Sequence, residues 1–292
     1  MILDGKKVRD TLLTFYKEKI ILEKLNITLA IISVGNDEPS KLYIKNKVKY
    51  CSLVGINVQT FELAEETQEE DIILLINKLN NDNNVTGIIL QSPVPKHIDF
   101  TNCVSNILPC KDIDGFTKEN LFNLIHNKKG LFPCTSKGII KLLEFYNIDL
   151  NGKNVCIIGR GDIVGKPLIF ELLNNNATVS ICHSYTKNIK KYTKSADIII
   201  SAVGKPNLIT CDMVKKNSAI VDVGISVIDG KIIGDVDFEE VSKVCKYITP
   251  NPGGVGPMTI AMIIENLIDA YYMQNGESYG KEYFRCITKR KN

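Results

Sequence analysis

A glycine-rich segment, GRGDIVG at residues 159–165, is the feature that most constrains the fold of this chain. It directly follows the apolar run NVCII and directly precedes KPLIFELL, in which apolar residues recur at helical spacing. A strand, a tight glycine turn and a helix in this order are typical of a dinucleotide-binding unit, in which the backbone approaches a pyrophosphate at the start of the helix. The spacing is GxGxxxG. We therefore predict that Gly159 and Gly161 form the turn and that Gly165 lets the helix pack close to the sheet.

Helix and strand patterns alternate along the whole chain. In the first part, dense apolar strand patterns at residues 27–34 and 85–90 alternate with helical patterns. A second alternating block begins near Thr135, and a long apolar helix is predicted from about Met258 to Tyr272. Such alternation implies parallel strands with helical crossovers. The sequence therefore predicts an α/β fold with two domains, the second of them a Rossmann-type dinucleotide-binding domain, and a cleft between the two.

Local signals predict several element boundaries. Pro39 is suited to the first turn of a helix that Gly55 terminates. Thr67 with Glu70 predicts a capping box at the start of a helix through Leu79. Asp229-Gly230 (DG) is a typical hairpin turn.

Composition excludes several classes of protein. Lysine and arginine number 36 against 33 acidic residues, a net charge of +3 that does not suggest a nucleic-acid partner. No apolar run approaches the roughly 18 residues of a membrane helix. The first residues, MILDGKKVRD, have an acid and no apolar core, so we expect no secretory signal. The nine cysteines form no CxxC pair and are expected to be reduced thiols of a cytoplasmic protein.

The end of the second strand of the nucleotide unit indicates which dinucleotide binds. An NAD site usually has an acidic residue there, about 20 residues after the glycine turn, to bind the ribose 2′-hydroxyl. This strand ends instead in Cys182-His183-Ser184. Arg160 in the glycine turn and Ser184 are suited to a 2′-phosphate, which favours NADP over NAD. The alternative is that Arg160 faces solvent and reads no phosphate.

A possible reacting centre lies in the first domain. Tyr43 and Lys47 are four residues apart and share one face of a predicted helix. Gln91 ends a strand and begins QSPVP, whose prolines leave the carboxyl edge of the strand open, and ligands of parallel sheets bind beyond that edge. The loop KDIDG then brings Asp112 and Asp114 to a tight turn. It lacks the spacing of a calcium loop, and we predict no metal.

At these residues the sequence resembles the bifunctional methylenetetrahydrofolate dehydrogenase/methenyltetrahydrofolate cyclohydrolase family. The matching stretches keep the family's order and span nearly the whole chain: YIKNKVK (43–49), GIILQSPVP (87–95), PCKDIDGF (109–116), PCTSKG (133–138), GRGDIVGKP (159–167), ATVSICHSYT (177–186), AVGKP (202–206), VDVGI (221–225), GDVDF (234–238) and TPNPGGVGPMT (249–259).

The resemblance implies the role of each site residue. It implies that Lys47 is the catalytic lysine, that Tyr43 stacks on the aminobenzoyl ring of the substrate and that Gln91 tunes the lysine. It implies that Asp114 holds the pterin, with Asp112 a further catalytic candidate. Pro252, Gly253 and Gly254 match a loop that closes over the folate and the nicotinamide. The residues matching the family's cofactor contacts are Gly159, Arg160, Gly161, Asp162, Ile163, Gly165, Ser184, Thr186, Val203, Gly204, Ile225 and Thr259.

The resemblance also implies the reactions and the assembly. The expected activities are oxidation of 5,10-methylenetetrahydrofolate with NADP and hydrolysis of the methenyl product to 10-formyltetrahydrofolate. A lysine acts as a base only when neutral, a form that desolvation and the cationic product both favour. The implied domains are a folate-binding catalytic domain at residues 1–118, completed by the C-terminal helix at about 258–292, and an NADP-binding domain at 135–257. A homodimer through the cofactor domains is implied as well.

Departures from the family pattern leave some alternatives open. Ser92 and Val94 replace usual leucines, Thr86 and Asn251 replace a usual aspartate and valine, and Gly161 replaces a usual serine, with the loss of one hydroxyl contact to the cofactor phosphate. The competing interpretations are a dehydrogenase without cyclohydrolase activity, a shikimate-type dehydrogenase and a nucleotide-sensing protein without turnover. Lys47 argues against the first, the QSPVP and PGGVGPMT stretches against the second, and the intact set of reacting residues against the third.

Overall fold

A computed structural model describes residues 1–276 of the chain. The helices in this part are α1 (Gly5–Leu22), α2 (Glu38–Leu53), α3 (Glu69–Asn80), α4 (Phe100–Ser105), α5 (Lys118–Ile125), α6 (Cys134–Phe145), α7 (Gly165–Asn174), α8 (Ile189–Thr193), α9 (Phe238–Val241) and α10 (Val255–Gln274). The strands are β1 (Thr28–Val34), β2 (Asn57–Leu63), β3 (Gly87–Leu90), β4 (Asn154–Ile158), β5 (Thr178–Cys182), β6 (Ile198–Ser201), β7 (Ala219–Asp222), β8 (Ser226–Ile228), β9 (Lys231–Ile233) and β10 (Tyr247–Ile248).

The chain divides into two compact units. Residues 1–10 and 135–259 form one, here called the C-terminal unit, and residues 11–134 with 260–276 form the other, the N-terminal unit. Residues 1–10 group with the C-terminal unit because Ile2 forms a β-bridge with Ile248, and the Leu3 amide donates to the Ile248 carbonyl at 2.8 Å. This pairing joins segments far apart in the chain, which the predicted domains at residues 1–118 and 135–257 place in different domains.

The N-terminal unit contains a three-stranded parallel sheet in the order β2-β1-β3. Strand β1 is buried along nearly its whole length, as expected for a parallel strand covered on both faces. Ile32 of β1 pairs with Leu90 of β3, and Ile72 and Ile76 of α3 belong to the same core. The ends of β1 and β3 therefore lie side by side. Gln91 follows β3 directly, and its amide donates to the Ile32 carbonyl at 2.8 Å.

The C-terminal unit contains a five-stranded parallel sheet in the order β10-β7-β6-β4-β5. The chain passes from β4 to β5 on one side and then returns to β6 on the other side of β4. Loops after β4 and β6 therefore leave the sheet at a point where the strand order reverses, which is where ligands of open α/β sheets bind. The predicted α/β class with parallel sheets is confirmed.

Several local predictions can be compared with the structure. Pro39 lies in the first turn of α2, and Asp229-Gly230 turns between the antiparallel strands β8 and β9, as predicted. The capping box of Thr67 and Glu70 is wrong: α3 begins at Glu69, and Gln68 is its N-cap without a side-chain hydrogen bond. In the described part of the chain, no helix is both long and apolar enough to cross a membrane. The basic stretch KEYFRCITKRKN at residues 281–292, and with it the last part of the helix expected at about 258–292, lies outside the described residues.

Candidate active site

Lys47 is a buried lysine on the face of α2. Helix α2 begins at Glu38 because the Asp37 side chain accepts a hydrogen bond from the Ser40 amide at 2.9 Å. The Lys47 side chain is only 7% exposed, and its Nζ donates to Oε1 of Gln91 at 3.0 Å. Most lysines extend their charged end into water, so a buried amine with an uncharged partner is unusual. Tyr43, one turn earlier, is 43% exposed, and partial burial raises the pKa of its phenol.

The orientation of the Gln91 side chain is fixed by a second hydrogen bond. Its Nε2 donates to the Ser92 carbonyl at 2.6 Å, so Oε1 is the end that faces Lys47. The Ser92–Pro93 peptide bond is cis. The structure thus brings together Lys47 and Gln91, which are 44 residues apart in the chain, with the glutamine oxygen as an acceptor for the amine.

Asp112 and Asp114 have different environments in the same loop. Asp112 is 1% exposed, and its carboxylate accepts hydrogen bonds from the amides of Gly115 (2.9 Å) and Thr117 (2.7 Å) and from Nδ2 of Asn120 (3.0 Å). Burial raises the pKa of Asp112, and these hydrogen bonds oppose the shift. Among residues 1–276, the partly exposed Asp114 carboxylate has no hydrogen-bond or ion-pair partner. Asp112 is therefore arranged to hold the loop, and Asp114 is the acid presented by it.

Two side chains that sequence reasoning missed also hold this loop. Nδ2 of the buried Asn266, on α10, donates to the carbonyls of Ile113 (2.8 Å) and Phe132 (2.9 Å). The buried Lys111 amine donates to the carbonyls of Leu79 (3.1 Å) and Asp82 (2.8 Å), and burial lowers its pKa. The available signal for Asn266 was an amide within an otherwise apolar helix, MTIAMIIENLI.

At two positions of the glycine turn in the C-terminal unit, the surrounding backbone leaves no room for a side chain. Gly159 has a φ of +114°, and a Cβ there would lie 2.5 Å from the Ala202 carbonyl oxygen. A Cβ on Gly165 would lie 2.6 Å from the Gly159 carbonyl oxygen, so α7 begins tightly against the turn. Space is open around Gly161. An accessible backbone at the start of a ten-residue helix fits the pyrophosphate of a dinucleotide.

The predicted phosphate-reading residues lie at the carboxyl ends of β4 and β5. The exposed Arg160 guanidinium lies 5.9 Å from the centre of the Tyr185 ring. Ser184 is part of a turn closed by Thr186, whose Oγ1 accepts from the His183 amide at 3.0 Å. An open pocket beside this turn is lined by Thr186 and by lysines 187 and 191, which gives it positive charge. Asp162 and Ile163 are exposed in the glycine turn, and Asp162 pairs with Lys166 at 2.5 Å.

The remaining predicted contacts lie in the same unit, on loops that follow its strands and, for Thr259, on helix α10. Val203 and Gly204 follow β6, and Ile225 follows β7. Thr259 Oγ1 lies 3.2 Å from Thr135 Oγ1. The Gly253 carbonyl accepts from the amides of residues 5 (3.0 Å) and 6 (3.2 Å), and a Cβ on Gly5 would collide with the Gly254 carbonyl.

These features define the class of the protein: an α/β chain in which one unit has a dinucleotide-binding glycine turn and the other has a buried lysine paired with a glutamine. No cluster of three or more histidine, cysteine or acidic side chains that could hold a metal is found in residues 1–276.

Comparison with known proteins identifies the family. The catalytic domain of the tetrahydrofolate dehydrogenase/cyclohydrolase family matches residues 3–114, and its NAD(P)-binding domain matches residues 133–275. The chain belongs to this family.

Relatives match along nearly their full length. "Bifunctional protein FolD" of Agathobacter rectalis is 46% identical over 273 residues, covering 92% of this chain and 98% of the relative. The protein of the same description from Mycoplasma capricolum is 48% identical, covering 93% and 98%.

Two crystal structures are similar throughout. The bifunctional FolD enzyme of Campylobacter jejuni has a TM-score of 0.92 and 45% identity, covering 94% of this chain and 99% of that one. The Trypanosoma brucei dehydrogenase-cyclohydrolase, complexed with NADP and an inhibitor, has a TM-score of 0.90 and 30% identity, covering 94% and 98%.

Proposed function

We propose that this protein is a bifunctional folate enzyme. It oxidises 5,10-methylenetetrahydrofolate to the 5,10-methenyl form by hydride transfer to NADP, and it hydrolyses that product to 10-formyltetrahydrofolate. The observation that carries the proposal is the buried Lys47 amine, which donates a hydrogen bond to the Gln91 side-chain oxygen. The hydrolytic step needs a base that is held in a fixed position, and this hydrogen bond holds the amine. The relatives named above, which are described as bifunctional, support both activities.

Each unit is assigned one ligand. We assign the folate to the N-terminal unit, with Tyr43 stacking on the aminobenzoyl ring and Asp114 binding the pterin. The unpartnered Asp114 carboxylate supports this role, because an acid without a protein partner is available to accept hydrogen bonds from pterin nitrogens. Asp112 acts through the loop as a positioning residue. We assign NADP to the C-terminal unit, with its pyrophosphate at the glycine turn and its 2′-phosphate at Arg160 and Ser184.

In the dehydrogenase step, the one-carbon bridge of the substrate loses a hydride and becomes cationic. Bound NADP supplies the hydride acceptor at C4 of its nicotinamide. The protein contributes orientation, since correct alignment of reacting groups removes much of the entropic barrier. Here the Asp114 loop and Tyr43 fix the folate.

In the cyclohydrolase step, water attacks the cationic methenyl carbon and the ring opens to the 10-formyl product, with release of one proton. We assign removal of the proton from the attacking water to the Lys47 amine. The Gln91 oxygen accepts a hydrogen bond from the same amine, so the nitrogen lone pair is directed away from Gln91 and is free for that proton. A positioned base of this kind contributes about 10²–10⁴-fold.

The proposed function is tested by following the absorbance of the methenyl compound. Methylenetetrahydrofolate with NADP should give a transient methenyl signal, and NAD should react more slowly. In the absence of any nucleotide, the protein should hydrolyse added methenyltetrahydrofolate faster than buffer alone does. Oxidation without hydrolysis would show a dehydrogenase that lacks cyclohydrolase activity. The absence of both activities would refute the proposal.

We further propose a cytoplasmic homodimer assembled through the C-terminal unit. The β8–β9 hairpin exposes Val227, Ile228 and Ile232, and a cluster of exposed apolar side chains on a hairpin is suited to a protein interface. The cysteines within residues 1–276 are free thiols, consistent with a reducing compartment. Light scattering should give twice the chain mass for the wild type and a lower mass for Val227→Lys; a wild-type monomer would contradict the dimer.

A further inference from the structure

Two carboxylates are buried side by side in the C-terminal unit, outside the residues assigned above. Asp222 ends β7 and is 4% exposed; Asp235 follows β9 and is fully buried. The Asp222 carboxylate accepts from the amides of Asp235 (2.9 Å) and Val236 (3.2 Å), so it holds the backbone that carries the second acid. Burying two acids costs free energy, and such an arrangement persists where their hydrogen bonds offset it.

The Asp235 carboxylate holds the loop that follows β6. It accepts from the amides of Val203 (2.9 Å) and Lys205 (2.7 Å) and from the hydroxyl of Ser201 (2.8 Å). The two amides are directed inward at the acid because a buried carboxylate is their acceptor. The backbone between them, at Gly204, has a φ of +65° and forms the loop surface.

Two neighbouring loops pack directly on the same acids. A Cβ on Gly224 would lie 2.0 Å from Oδ1 of Asp235, and a Cβ on Gly234 would lie 1.8 Å from Oδ2 of Asp222. Nδ2 of Asn251 donates to the Gly224 carbonyl at 2.6 Å, which ties the segment before Pro252 to this cluster. The Asp235 carboxylate therefore binds the loop at 202–206 directly, and the segment that begins at Asn251 is tied instead to the Gly224 carbonyl.

We infer that Asp235 is a positioning residue for NADP: by fixing the amides of Val203 and Lys205 it sets the loop that contacts the nucleotide, with Asp222 holding Asp235 in place. The inference rests on the proposed function, which assigns Val203 and Gly204 to the cofactor. A carboxylate with only a structural role would support folding and affect both activities alike. A positioning role affects the nucleotide-dependent activity selectively.

The test uses Asp235→Asn in the full-length protein. Asparagine keeps the size of the side chain but replaces one acceptor oxygen with an NH₂ group. One of the two loop amides, Val203 or Lys205, then faces a donor and loses its hydrogen bond. We expect the Kd and KM for NADP to rise about tenfold, the effect of one lost hydrogen bond to a charged group. Hydrolysis of added methenyltetrahydrofolate, which requires no nucleotide, should stay within about twofold of wild type. Equal losses of both activities, or unchanged NADP binding, would overturn the inference.

Ser201→Ala is the matched control, because it removes a buried hydrogen bond to the same carboxylate and leaves both loop amides paired. Its NADP affinity should stay near that of wild type, and a loss equal to that of Asp235→Asn would overturn the inference. If Asp235→Asn does not fold, hydrogen exchange of the nucleotide-free wild type decides: protected amides at Val203 and Lys205 support the anchor, and rapid exchange overturns it. Failure of the proposed function is distinguishable, since the wild type itself would then not oxidise the folate with NADP.

Discussion

The amine of Lys47 and the side-chain oxygen of Gln91 lie 3.0 Å apart and join helix α2 to the end of strand β3. Gln91 cannot present its NH₂ group to the lysine without giving up its bond to the Ser92 carbonyl at 2.6 Å. The amine therefore meets a neutral acceptor where a carboxylate would form an ion pair. The proposed mechanism, in which Lys47 serves as the base, depends on this choice of partner.

Replacing the neutral partner with a charged one should stop hydrolysis. In Gln91→Glu, a carboxylate next to Lys47 stabilises the ammonium form, and an ammonium cannot accept a proton. We expect a loss of about 10²–10⁴-fold in cyclohydrolase rate, measured with methenyltetrahydrofolate, with an unchanged Kd for NADP. Gln91→Met, which adds no charge, should lose less. A Gln91→Glu variant with the wild-type rate would contradict the role of the neutral partner.

Removing the guanidinium of Arg160 should weaken NADP selectively. Arg160→Ala is expected to raise the Kd for NADP about 10–100-fold, the value of charge-assisted hydrogen bonds to a phosphate, with little change for NAD. Titration calorimetry with both nucleotides measures the two effects. Lys166→Ala is the control, since that nearby cation is paired with Asp162. Equal losses of affinity for NADP and NAD in Arg160→Ala would mean that Arg160 does not bind the 2′-phosphate.

Substitution of the two acids of the KDIDG loop should have different effects, one on stability and the other on folate binding. Asp112→Ala leaves the amides of Gly115 and Thr117 without their buried acceptor, and we expect the free energy of unfolding to fall by about 3 kcal/mol or more. Asp114→Ala should unfold at nearly the wild-type urea concentration but lose folate affinity. Urea titrations and folate binding measure both. A stable Asp112→Ala, or an Asp114→Ala that binds folate normally, would reverse the assignments.

The buried Asp222 should impose a pH dependence on stability. Burial, together with the nearby Asp235 charge, raises the pKa of Asp222 from 3.8 to about 6, so the folded protein holds this proton more tightly than the unfolded chain. Stability is therefore lost as the pH rises from about 4 to about 6, by roughly 3 kcal/mol in total, and is flat above that range. The asparagine of Asp222→Asn does not titrate in this range, so this variant lacks the pH-dependent contribution.

Urea unfolding of wild type and Asp222→Asn between pH 4 and pH 7 measures this effect. The stability of the variant relative to wild type should increase with pH up to about 6 and then level off. Taking the difference between the two proteins cancels the other titrating groups. A difference that stays constant with pH would show that Asp222 does not hold its proton in the folded state.

Local patterns were sufficient for much of the fold and for part of the site. The glycine turn at Gly159 lies between an apolar strand and a helix, and Lys47 lies one turn after Tyr43, so both are visible in short windows of sequence. The Thr67–Glu70 capping box does not form, since Gln68 is the N-cap of α3 and makes no side-chain hydrogen bond. In the first turn of this helix, the Glu69 carboxylate accepts from the Asp99 amide (2.6 Å) and Nδ2 of Asn102 (2.6 Å). This contact joins residues 30 positions apart, which a local sequence pattern does not reveal.

Long-range anchors could not be predicted from the sequence. Asn266 binds the Ile113 carbonyl across 153 residues, and Asp235 binds the Val203 amide across 32. A buried polar side chain that serves a distant backbone group adds nothing to the periodicity of its own segment. Its partner becomes known only when packing brings the two segments together.

The most direct test of the account is the rate at which Lys47→Met hydrolyses methenyltetrahydrofolate, measured beside Lys45→Met, an exposed lysine on the same helix. Methionine retains a long apolar side chain in the buried position and removes the base. We predict a loss of at least about 100-fold for Lys47→Met, with the Kd for NADP unchanged and the Lys45→Met rate at the wild-type level. Hydrolysis by Lys47→Met at the wild-type rate would contradict the central claim.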